Sequence, residues 1–266
     1  MSALTHEQVE SFRTNGYLIV RKMIDPATVE DLRRVLMSIV DGQREGIRRL
    51  RSVTQADGKK VTEFQGIWKS NPVFQDFLKT SNLGEAAAQL LDTPEVRLYY
   101  DQCFYKEPKI GGPVPCHQDY DYWRHISTPN IITAWMAVSQ VTRESGCIYV
   151  LPGSHKWGLI DRFGSNILKD PDPELMLKHD LNEQQKKKVT REALVLEPGD
   201  VSFHHSLVIH CSYPNTSSMT RLGYIHRYIP ADARYLERND LHKTHEIDVK
   251  DGELINTANF PLVWPH

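Results

Sequence analysis

The first third of the chain carries apolar residues at helical spacing. One stripe repeats every three or four positions, and its members are Val29, Leu32, Leu36 and Ile39. Asp25 before Pro26 marks the start of this helix, and Thr5 with Gln8 can form a capping box for a shorter helix ahead of it. Further elements are predicted as helices over Pro72–Lys79 and Asn82–Leu91 and a strand over Gly16–Val20.

From Val96 onward, the pattern changes to short apolar or alternating runs that are separated by turn residues. These runs predict strands at Val96–Lys106, Val114–Tyr120, Ile131–Val138, Gly146–Leu151, Ala193–Glu197, Val201–His205, Leu207–His210 and Arg221–Ile229. Many short, evenly spaced strands are typical of a sandwich or a jelly roll and not of a parallel sheet. We therefore expect a mainly β fold with flanking helices.

A single domain is expected over residues 1–266. Its helical N-terminal part would span 1–95 and pack on a barrel core at 96–230, with a C-terminal extension at 231–266. Residues 156–190 interrupt the strands with polar, charged and proline-containing sequence. We interpret that segment as an insertion that covers one mouth of the barrel.

Composition narrows the classes of partner. The 266 residues are 40% hydrophobic and carry a formal net charge of -2, so nucleic acid and membrane are not expected and a small molecule is the better default. The four cysteines are scattered in a chain too long to depend on disulfides, which fits a reducing compartment. With no targeting or membrane-spanning pattern recognised, we expect a cytoplasmic protein. A homodimer is compatible with the sequence.

The triplet His117-Gln118-Asp119 lies inside one predicted strand. Alternate side chains of a strand share a face, so His117 and Asp119 would project together while Gln118 points elsewhere. An imidazole and a carboxylate on one face suit iron(II), and a further histidine would complete a facial triad with open coordination positions. The structural alternative is a histidine hydrogen-bonded to a neighbouring aspartate, because such triplets also arise by chance.

The further histidine should come from a distant strand. Candidates cluster in one segment as His204, His205 and His210. We favour His210, which ends an apolar run just before a turn at a barrel mouth, whereas packing or a hydrogen bond to a carbonyl explains the other two. Arg221 then opens the next strand, where a guanidinium on the inner face would need a bidentate anion. A surface ion pair is the alternative for an isolated arginine.

Several segments in this order and spacing resemble the phytanoyl-CoA dioxygenase family of iron(II) and 2-oxoglutarate-dependent oxygenases. They are HQD at 117–119, AWMAV at 134–138, GCIYVLPGSHK at 146–156, and EPGDVSFHHSLVIHCSYPN at 197–215 followed by Arg221. LTHEQVESFRTNGYLIV at 4–20 is similar to the family's first helix and strand, so the resemblance covers most of the chain. It implies a double-stranded β-helix, the cupin-like jelly roll, with 2-oxoglutarate and O2 as cosubstrates of a non-haem iron dioxygenase.

The resemblance also implies roles for individual residues. His117, Asp119 and His210 would bind Fe(II), and retention of Asp119 argues against halogenation, since related halogenases replace that carboxylate. Arg221 would hold the distal carboxylate of 2-oxoglutarate with the help of Ser212. The other residues near the cosubstrate would be Gln118, Trp135 and Gln102, although core packing explains Trp135 equally well.

The implied reaction is hydroxylation of an unactivated C–H bond in a small organic molecule, with release of succinate and carbon dioxide. Candidates for contact with the substrate, or alternatively for barrel packing, are Tyr100, Tyr120, Tyr122 and Trp123. The basic stretch 46–60 is interpreted as a solvated loop, with substrate contact as its alternative. A free small molecule such as a natural product is preferred to an acyl-CoA, because basic residues are not concentrated around the barrel strands.

Other classes of protein stay open at this point. A cupin-type metalloenzyme would work without 2-oxoglutarate, and a non-catalytic jelly-roll binding protein would use its histidines structurally. A zinc hydrolase is disfavoured because no additional cysteine pair has ligand spacing, and Cys116 and Cys211 are explained as small packed hydrophobes. Dependence of turnover on Arg221 would separate the 2-oxoglutarate enzyme from its cupin-type rival.

Overall fold

The computed structural model describes residues 2–47, 49–160, 172–240 and 247–265. Its helices are α1 (His6–Asn15), α2 (Pro26–Val40), α3 (Pro72–Thr80), α4 (Leu83–Leu91), α5 (Leu175–His179) and α6 (Glu183–Lys186). Its strands are β1 (Tyr17–Val20), β2 (Arg49–Thr54), β3 (Lys60–Gln65), β4 (Val96–Lys106), β5 (Val114–His117), β6 (Ile132–Ala137), β7 (Ile148–Val150), β8 (Glu192–Leu194), β9 (Val201–His205), β10 (His210–Ser212), β11 (Arg221–Pro230) and β12 (Leu262–Trp264). The chain is mainly β with flanking helices, as expected.

Two antiparallel sheets build the barrel. The larger has the order β1-β9-β6-β11-β4-β3-β2, with β12 also paired to β4, and the smaller has the order β5-β10-β7-β8. Many neighbouring strands come from distant parts of the sequence, which is the crossover pattern of a jelly roll. The predicted jelly-roll core is confirmed.

The helices before β4 cover the outer face of the larger sheet, and their starts follow the local signals. Thr5 and Gln8 form the predicted capping box, and the Asp25 side chain accepts hydrogen bonds from the first turn of α2. The apolar stripe of α2 is buried against this sheet, with Leu32 and Leu36 at 0% and 1% exposure. Each leucine buried in this way contributes roughly 1.5–3 kcal/mol, so packing holds the helical layer in place.

The inner face of the larger sheet forms one wall of a cavity. Along β11, alternation turns Arg221, Gly223, Ile225 and Arg227 toward it. A side chain at Gly223 would not fit, because a Cβ built there lies 2.0 Å from the ring of Trp135 on β6. Glycine at this position therefore leaves room for the indole.

The strand register arranges the inner face in rows that cross the sheet. One row consists of His204, Thr133, Arg227 and Tyr100, and the next of Ser202, Trp135, Ile225 and Gln102. Arg221 lies beyond the second row, paired with Lys106 of β4. Residues from four strands therefore share the wall on which the site is built.

Two strand boundaries beside the predicted ligands differ from expectation. β5 ends at His117, and Asp119 begins a 3-10 turn over Asp119–Tyr122, so the predicted strand Val114–Tyr120 was too long. β10 begins at His210, where the predicted strand Leu207–His210 ended. The ladder between β5 and β10 has its last pair at His117 and His210, and the chain then turns to carry Asp119 toward β6.

The N-terminal part contributes strands as well as helices. β1, β2 and β3 belong to the larger sheet, so the description of 1–95 as helical was incomplete. The stretch 46–60 is not a loop, because it contains β2 and the start of β3, joined through a turn at Asp57-Gly58. Ser52, Thr54, Lys59 and Lys60 of this hairpin are turned toward solvent or only partly buried, whereas Arg51 and Glu63 line the cavity.

The insertion predicted over 156–190 lies partly outside the described residues. In its described part, α5 packs Met176 and Leu177 against Cys116 and Leu151 of the smaller sheet's region. None of these four side chains lines the cavity. The helix therefore lies behind the smaller sheet, and the covering of a barrel mouth by the whole insertion stays a prediction.

Candidate metal centre

The adjoining ends of β5 and β10 bring two histidines and one carboxylate together at the cavity. The Nε2 atoms of His117 and His210 lie 3.4 and 3.7 Å from Oδ1 of Asp119, and the two imidazole centroids are 4.2 Å apart. One possible ligand atom from each residue lies within 4.8 Å of the other two. Across the described ranges, this is the one group of three or more such side chains that could hold a metal ion.

Hydrogen bonds on the far side of each imidazole determine which nitrogen faces the cluster. Nδ1 of His117 lies 2.8 Å from the carbonyl oxygen of Pro115, and Nδ1 of His210 lies 3.0 Å from that of Val208. A carbonyl only accepts, so Nδ1 carries a proton in both rings and Nε2 is the nitrogen that faces Asp119. Two ring nitrogens and a carboxylate oxygen therefore converge, and these are the donor atoms that a metal ion would need.

The spacing of these atoms suits a bound metal. Ligands at about 2.1 Å from a metal and at right angles to each other lie about 3 Å apart. The separations from Asp119 are 3.4 and 3.7 Å, so the two imidazole nitrogens need to approach the carboxylate oxygen by about 0.4 and about 0.7 Å to reach that spacing. Two imidazoles and one carboxylate are the donor set of the non-haem iron facial triad.

Asp119 is fixed from its other side by the larger sheet. Thr133 Oγ1 donates to Oδ2 at 2.8 Å, and Nε2 of His204 lies 3.3 Å from the same oxygen. Burial acts to raise the pKa of Asp119, but the interactions of the carboxylate with His210, His117 and His204 outweigh it and hold that pKa well below its usual range. The carboxylate is therefore ionised, with Oδ1 directed at the cluster.

His210 is in the protonation state that complements this carboxylate. Burial lowers the pKa of His210 well below its usual range, and the neighbouring His117 and His204 act in the same direction. A neutral imidazole and an ionised carboxylate are the forms that bind a metal. His204 supports Asp119 from beneath, which agrees with the packing role expected for it.

Arg221 lies in the same cavity as a buried cation with an open donor. It is 2% exposed, its Nη1 donates to the carbonyl of Gly146 at 2.8 Å, and its guanidinium carbon lies 5.3 Å from the centre of the Trp135 ring. Its Nε has no hydrogen-bond partner among the described residues. Burial lowers its pKa from 12.5 to about 10. Such a guanidinium is suited to an anionic ligand.

The other residues nominated for the cosubstrate fall into two groups. Ser212, Trp135 and Gln102 line the cavity, as expected. The Ser212 hydroxyl accepts a hydrogen bond from Nζ of the buried Lys106 at 2.8 Å, so it lies between this buried amine and the open space. These positions agree with a site for a dicarboxylate at this end of the barrel.

Gln118 belongs to the second group, because its amide is turned away from the cavity. Its Nε2 donates to the carbonyls of Gly158 and Leu207, each at 2.8 Å, and its Oε1 accepts from the backbone N–H of Ile160 at 2.7 Å. The expectation that Gln118 approaches the cosubstrate is not supported by these contacts. Instead it ties the turn between the two metal-site residues to neighbouring loops.

The four aromatic residues that were predicted as substrate contacts also fall into two groups. Tyr100, Tyr122 and Trp123 line the cavity. Tyr120 does not, and its hydroxyl donates to the carbonyl of Ile126 at 2.9 Å; all four rings also belong to one apolar cluster, so the packing alternative holds beside cavity contact. The 3-10 turn explains the difference, since it rotates Tyr120 away from the face that Tyr122 occupies.

The cavity comprises about 970 Å³ of space between atoms, counted out to the solvent at its mouth. Its lining includes residues that were not nominated from the sequence, namely Arg51, Glu63, Gln65, Phe104, Thr133, Ile225 and Arg227, together with His204. The Asp-Gly pair at 57–58 was an available hairpin signal for the first three. Period-2 alternation from Arg221 would have placed Arg227 on the same face.

The chain is similar to proteins of known class. The model of the phytanoyl-CoA dioxygenase (PhyH) family matches residues 12–223. Human peroxisomal phytanoyl-CoA dioxygenase is 25% identical over 251 residues, covering 89% of this chain and 71% of the human protein. The crystal structure of the non-haem, α-ketoglutarate-dependent carbocyclase SnoK from nogalamycin biosynthesis has a TM-score of 0.80 at 24% identity, covering 98% of each chain.

A further solved structure carries ligands. The epimerase SnoN in complex with Fe3+, α-ketoglutarate and nogalamycin RO has a TM-score of 0.76 at 21% identity, covering 97% of each chain. These structures show that the jelly-roll fold is shared. The human relative is named as peroxisomal, so the cytoplasmic location of this chain stays a prediction.

A jelly roll with two histidines and one carboxylate at its open end defines the class of non-haem iron, 2-oxoglutarate-dependent oxygenases. The chain belongs to the phytanoyl-CoA dioxygenase family within that class. Iron and 2-oxoglutarate are its cofactor and cosubstrate. Among the described residues, no helix is long and apolar enough to cross a bilayer.

Proposed function

We propose that the protein hydroxylates an unactivated C–H bond of a small organic molecule, using iron(II), 2-oxoglutarate and O2 and releasing succinate and carbon dioxide. The observation that supports this proposal best is that two imidazole nitrogens and an ionised carboxylate converge beside a cavity that also contains the buried Arg221. His117, Asp119 and His210 are the proposed iron ligands. Bound iron and 2-oxoglutarate supply the oxidising chemistry, coupling decarboxylation of the keto acid to transfer of oxygen onto the substrate.

The chain's own residues position the reactants. Pro115 and Val208 hold the two imidazoles through their Nδ1 protons, and Thr133 orients the carboxylate, so the ligands are fixed before metal arrives. The open donor of Arg221 and the Ser212 hydroxyl are assigned to the distal carboxylate of 2-oxoglutarate. Trp135 packs against the guanidinium and limits its orientation.

The substrate is assigned to the aromatic end of the cavity. Tyr100, Tyr122 and Trp123 line the space there and would exclude water from the reacting carbon. A free small molecule of natural-product type is preferred to an acyl-CoA. The support is the fold shared with SnoK and SnoN of nogalamycin biosynthesis.

The rival classes make different predictions for Arg221. A cupin-type enzyme that needs no 2-oxoglutarate would have no use for a buried guanidinium without a carboxylate partner, and a binding protein would have no need of ionised Asp119 facing imidazole lone pairs. A zinc hydrolase built on cysteine is not supported, since all four cysteines are buried and none joins the metal-binding group of the described residues.

Anaerobic addition of iron(II) and 2-oxoglutarate tests the proposal. We expect the weak visible charge-transfer band of the chelate in the wild type, and its loss in Asp119→Ala with an unchanged far-UV circular dichroism spectrum. Asp121→Ala, a carboxylate two positions away that pairs with Arg124, is the matched control and should keep the band. Folded wild-type protein that shows no band would end the proposal.

Substrate identity is approached by succinate release. Loaded enzyme is assayed in air against panels of acyl-CoAs, amino acids and terpenoid or polyketide acids. Release above the uncoupled background with one panel member, accompanied by a product heavier by one oxygen atom, would support hydroxylation. Release only with acyl-CoAs would overturn the preference for a free small molecule.

A further inference from the structure

Arg227 is a second buried arginine of the cavity, and the cosubstrate assignment leaves it unused. It lies six residues after Arg221 on β11, an even spacing that turns both side chains to the same face. Six residues of strand span about 20 Å, so the two guanidinium groups belong to opposite ends of the cavity. Arg221 adjoins Ser212 and Trp135, whereas Arg227 adjoins the aromatic residues.

Two aromatic rings adjoin the guanidinium of Arg227 and leave two of its nitrogen donors without a hydrogen-bond partner within the described ranges. Its carbon Cζ lies 4.9 Å from the centre of the Tyr100 ring and 5.4 Å from that of Trp123, and the residue is 5% exposed. Its Nε and Nη1 have no hydrogen-bond partner among the described residues. The cation is therefore within the range of cation–π attraction of two rings, which does not occupy its N–H groups.

Asp119 does not neutralise this cation through direct contact. The two groups interact electrostatically, but neither a hydrogen bond nor an ion pair joins them in the described part of the chain. Both carboxylate oxygens are engaged elsewhere, Oδ2 by Thr133 and His204 and Oδ1 by the cluster that the metal is proposed to occupy. A buried guanidinium in this position carries a desolvation penalty that a ligand could offset.

The charges around the cavity leave a place for one further anion. Its lining carries three arginines and two carboxylates, which leaves one positive charge apart from the imidazoles. Iron(II) and the 2-oxoglutarate dianion cancel each other when both are bound. Arg51 lies 3.9 Å from Glu63, so these two largely offset each other. With Arg221 assigned to the cosubstrate and Asp119 to the metal, Arg227 is the cation that remains.

We propose that Arg227 binds a carboxylate of the primary substrate and thereby places the reacting carbon beside the metal. The inference rests on the proposed function and specifies its substrate class, a small carboxylic acid. A planar carboxylate accepts two parallel N–H bonds from the guanidinium fork, while Tyr122 and Trp123 contact the adjoining apolar part of the molecule. The substrate carboxylate and the cosubstrate's distal carboxylate would then be held by two arginines of one strand.

Paired titrations with benzoate and its neutral counterpart benzamide test the proposal. The protein is loaded anaerobically with iron(II) and saturating 2-oxoglutarate, so that Arg221 is already occupied, and binding is followed by calorimetry. We expect the wild type to bind benzoate at least 10-fold more tightly than benzamide. Arg227→Gln should lose that preference, and Arg227→Lys, which keeps the charge but not the fork, should retain part of it.

Arg51→Gln provides the matched control, because Arg51 is another arginine of the same cavity. It should keep the preference for benzoate. Equal affinities of the wild type for the two probes would overturn the inference, and so would a preference that survives in Arg227→Gln or disappears in Arg51→Gln. The 2-oxoglutarate charge-transfer band is recorded in every sample. A wild type without the band means that the proposed function has failed, whereas a normal band with equal probe affinities removes only the substrate assignment.

Discussion

Replacement of Arg221 by methionine should stabilise the ligand-free protein and abolish its response to 2-oxoglutarate. The guanidinium is 2% exposed, and burial lowers its pKa from 12.5 to about 10. At about 1.4 kcal/mol per pKa unit, folding disfavours the cation by roughly 3 kcal/mol. Loss of the hydrogen bond to Gly146 offsets about 1 kcal/mol of this. The free energy of unfolding should therefore rise by about 2 kcal/mol in Arg221→Met.

Urea unfolding measures this change directly, and the thermal midpoint should rise by roughly 4–8 °C. In samples already loaded with iron(II), 2-oxoglutarate at about 100 times its dissociation constant should add about 2.7 kcal/mol to the stability of the wild type and nothing to that of Arg221→Met. Arg33→Met on the exposed side of α2 is the control and should stay within about 0.5 kcal/mol of the wild type. A ligand-free Arg221→Met protein that is less stable than the wild type would refute the reasoning, because the guanidinium would then already be satisfied.

Three further substitutions test other parts of the structure. Thr133→Val removes the donor to Asp119, so iron(II) affinity in an anaerobic titration should fall roughly 10- to 100-fold; unchanged affinity would mean that the hydroxyl does not orient the carboxylate. Gly223→Ala places a Cβ 2.0 Å from the Trp135 ring, and this overpacking should reduce the free energy of unfolding by about 1–3 kcal/mol and weaken 2-oxoglutarate binding, whereas a protein of wild-type stability would contradict the fit. His226→Asn removes a histidine whose pKa burial lowers to about 3. Because the unfolded chain takes up that proton as pH falls below about 6.5 while the folded protein does not, the wild type should lose about 2 kcal/mol more than His226→Asn between pH 7 and pH 5 in urea unfolding, and equal losses would count against the buried neutral imidazole.

Local signals predicted the elements whose structure is decided locally. The capping box at Thr5 and the start of α2 at Asp25 depend on side-chain contacts within one turn, and both formed as expected. β4 and β9 were placed with their observed bounds, because strong strand propensity coincides with clear turns on both sides. His117, Asp119 and His210 were nominated together, and the structure brings them together.

The errors arose where distant contacts override local pattern. Asp119 was assigned to a strand because alternation explains how it joins His117, but its partner Thr133 on β6 requires a turn instead. The hairpin of β2 and β3 was interpreted as a solvated loop since its charges suggest exposure. Pairing of β3 with β4 is a tertiary contact that no local signal in 46–60 reports, although the Asp-Gly turn indicated a hairpin. Arg51 was therefore missed as a cavity residue.

The distribution of unsatisfied polar atoms connects the fold to its chemistry. Among the described residues, buried side-chain atoms without a partner include Nε of Arg221, Nε and Nη1 of Arg227, Oε1 of Gln102 and Nδ1 of His204, and all four residues line the cavity. Native proteins seldom leave buried polar atoms unpaired, because each costs about 1–3 kcal/mol. Similar atoms occur elsewhere, such as Oγ of Ser81 and Nε of Arg97, but those of the cavity are the ones that a bound ligand could reach. Unpaired polar atoms in the cavity lower the stability of the ligand-free protein, and bound anions would give the cationic ones partners. Ligand affinity and the instability of the empty barrel therefore have the same physical origin.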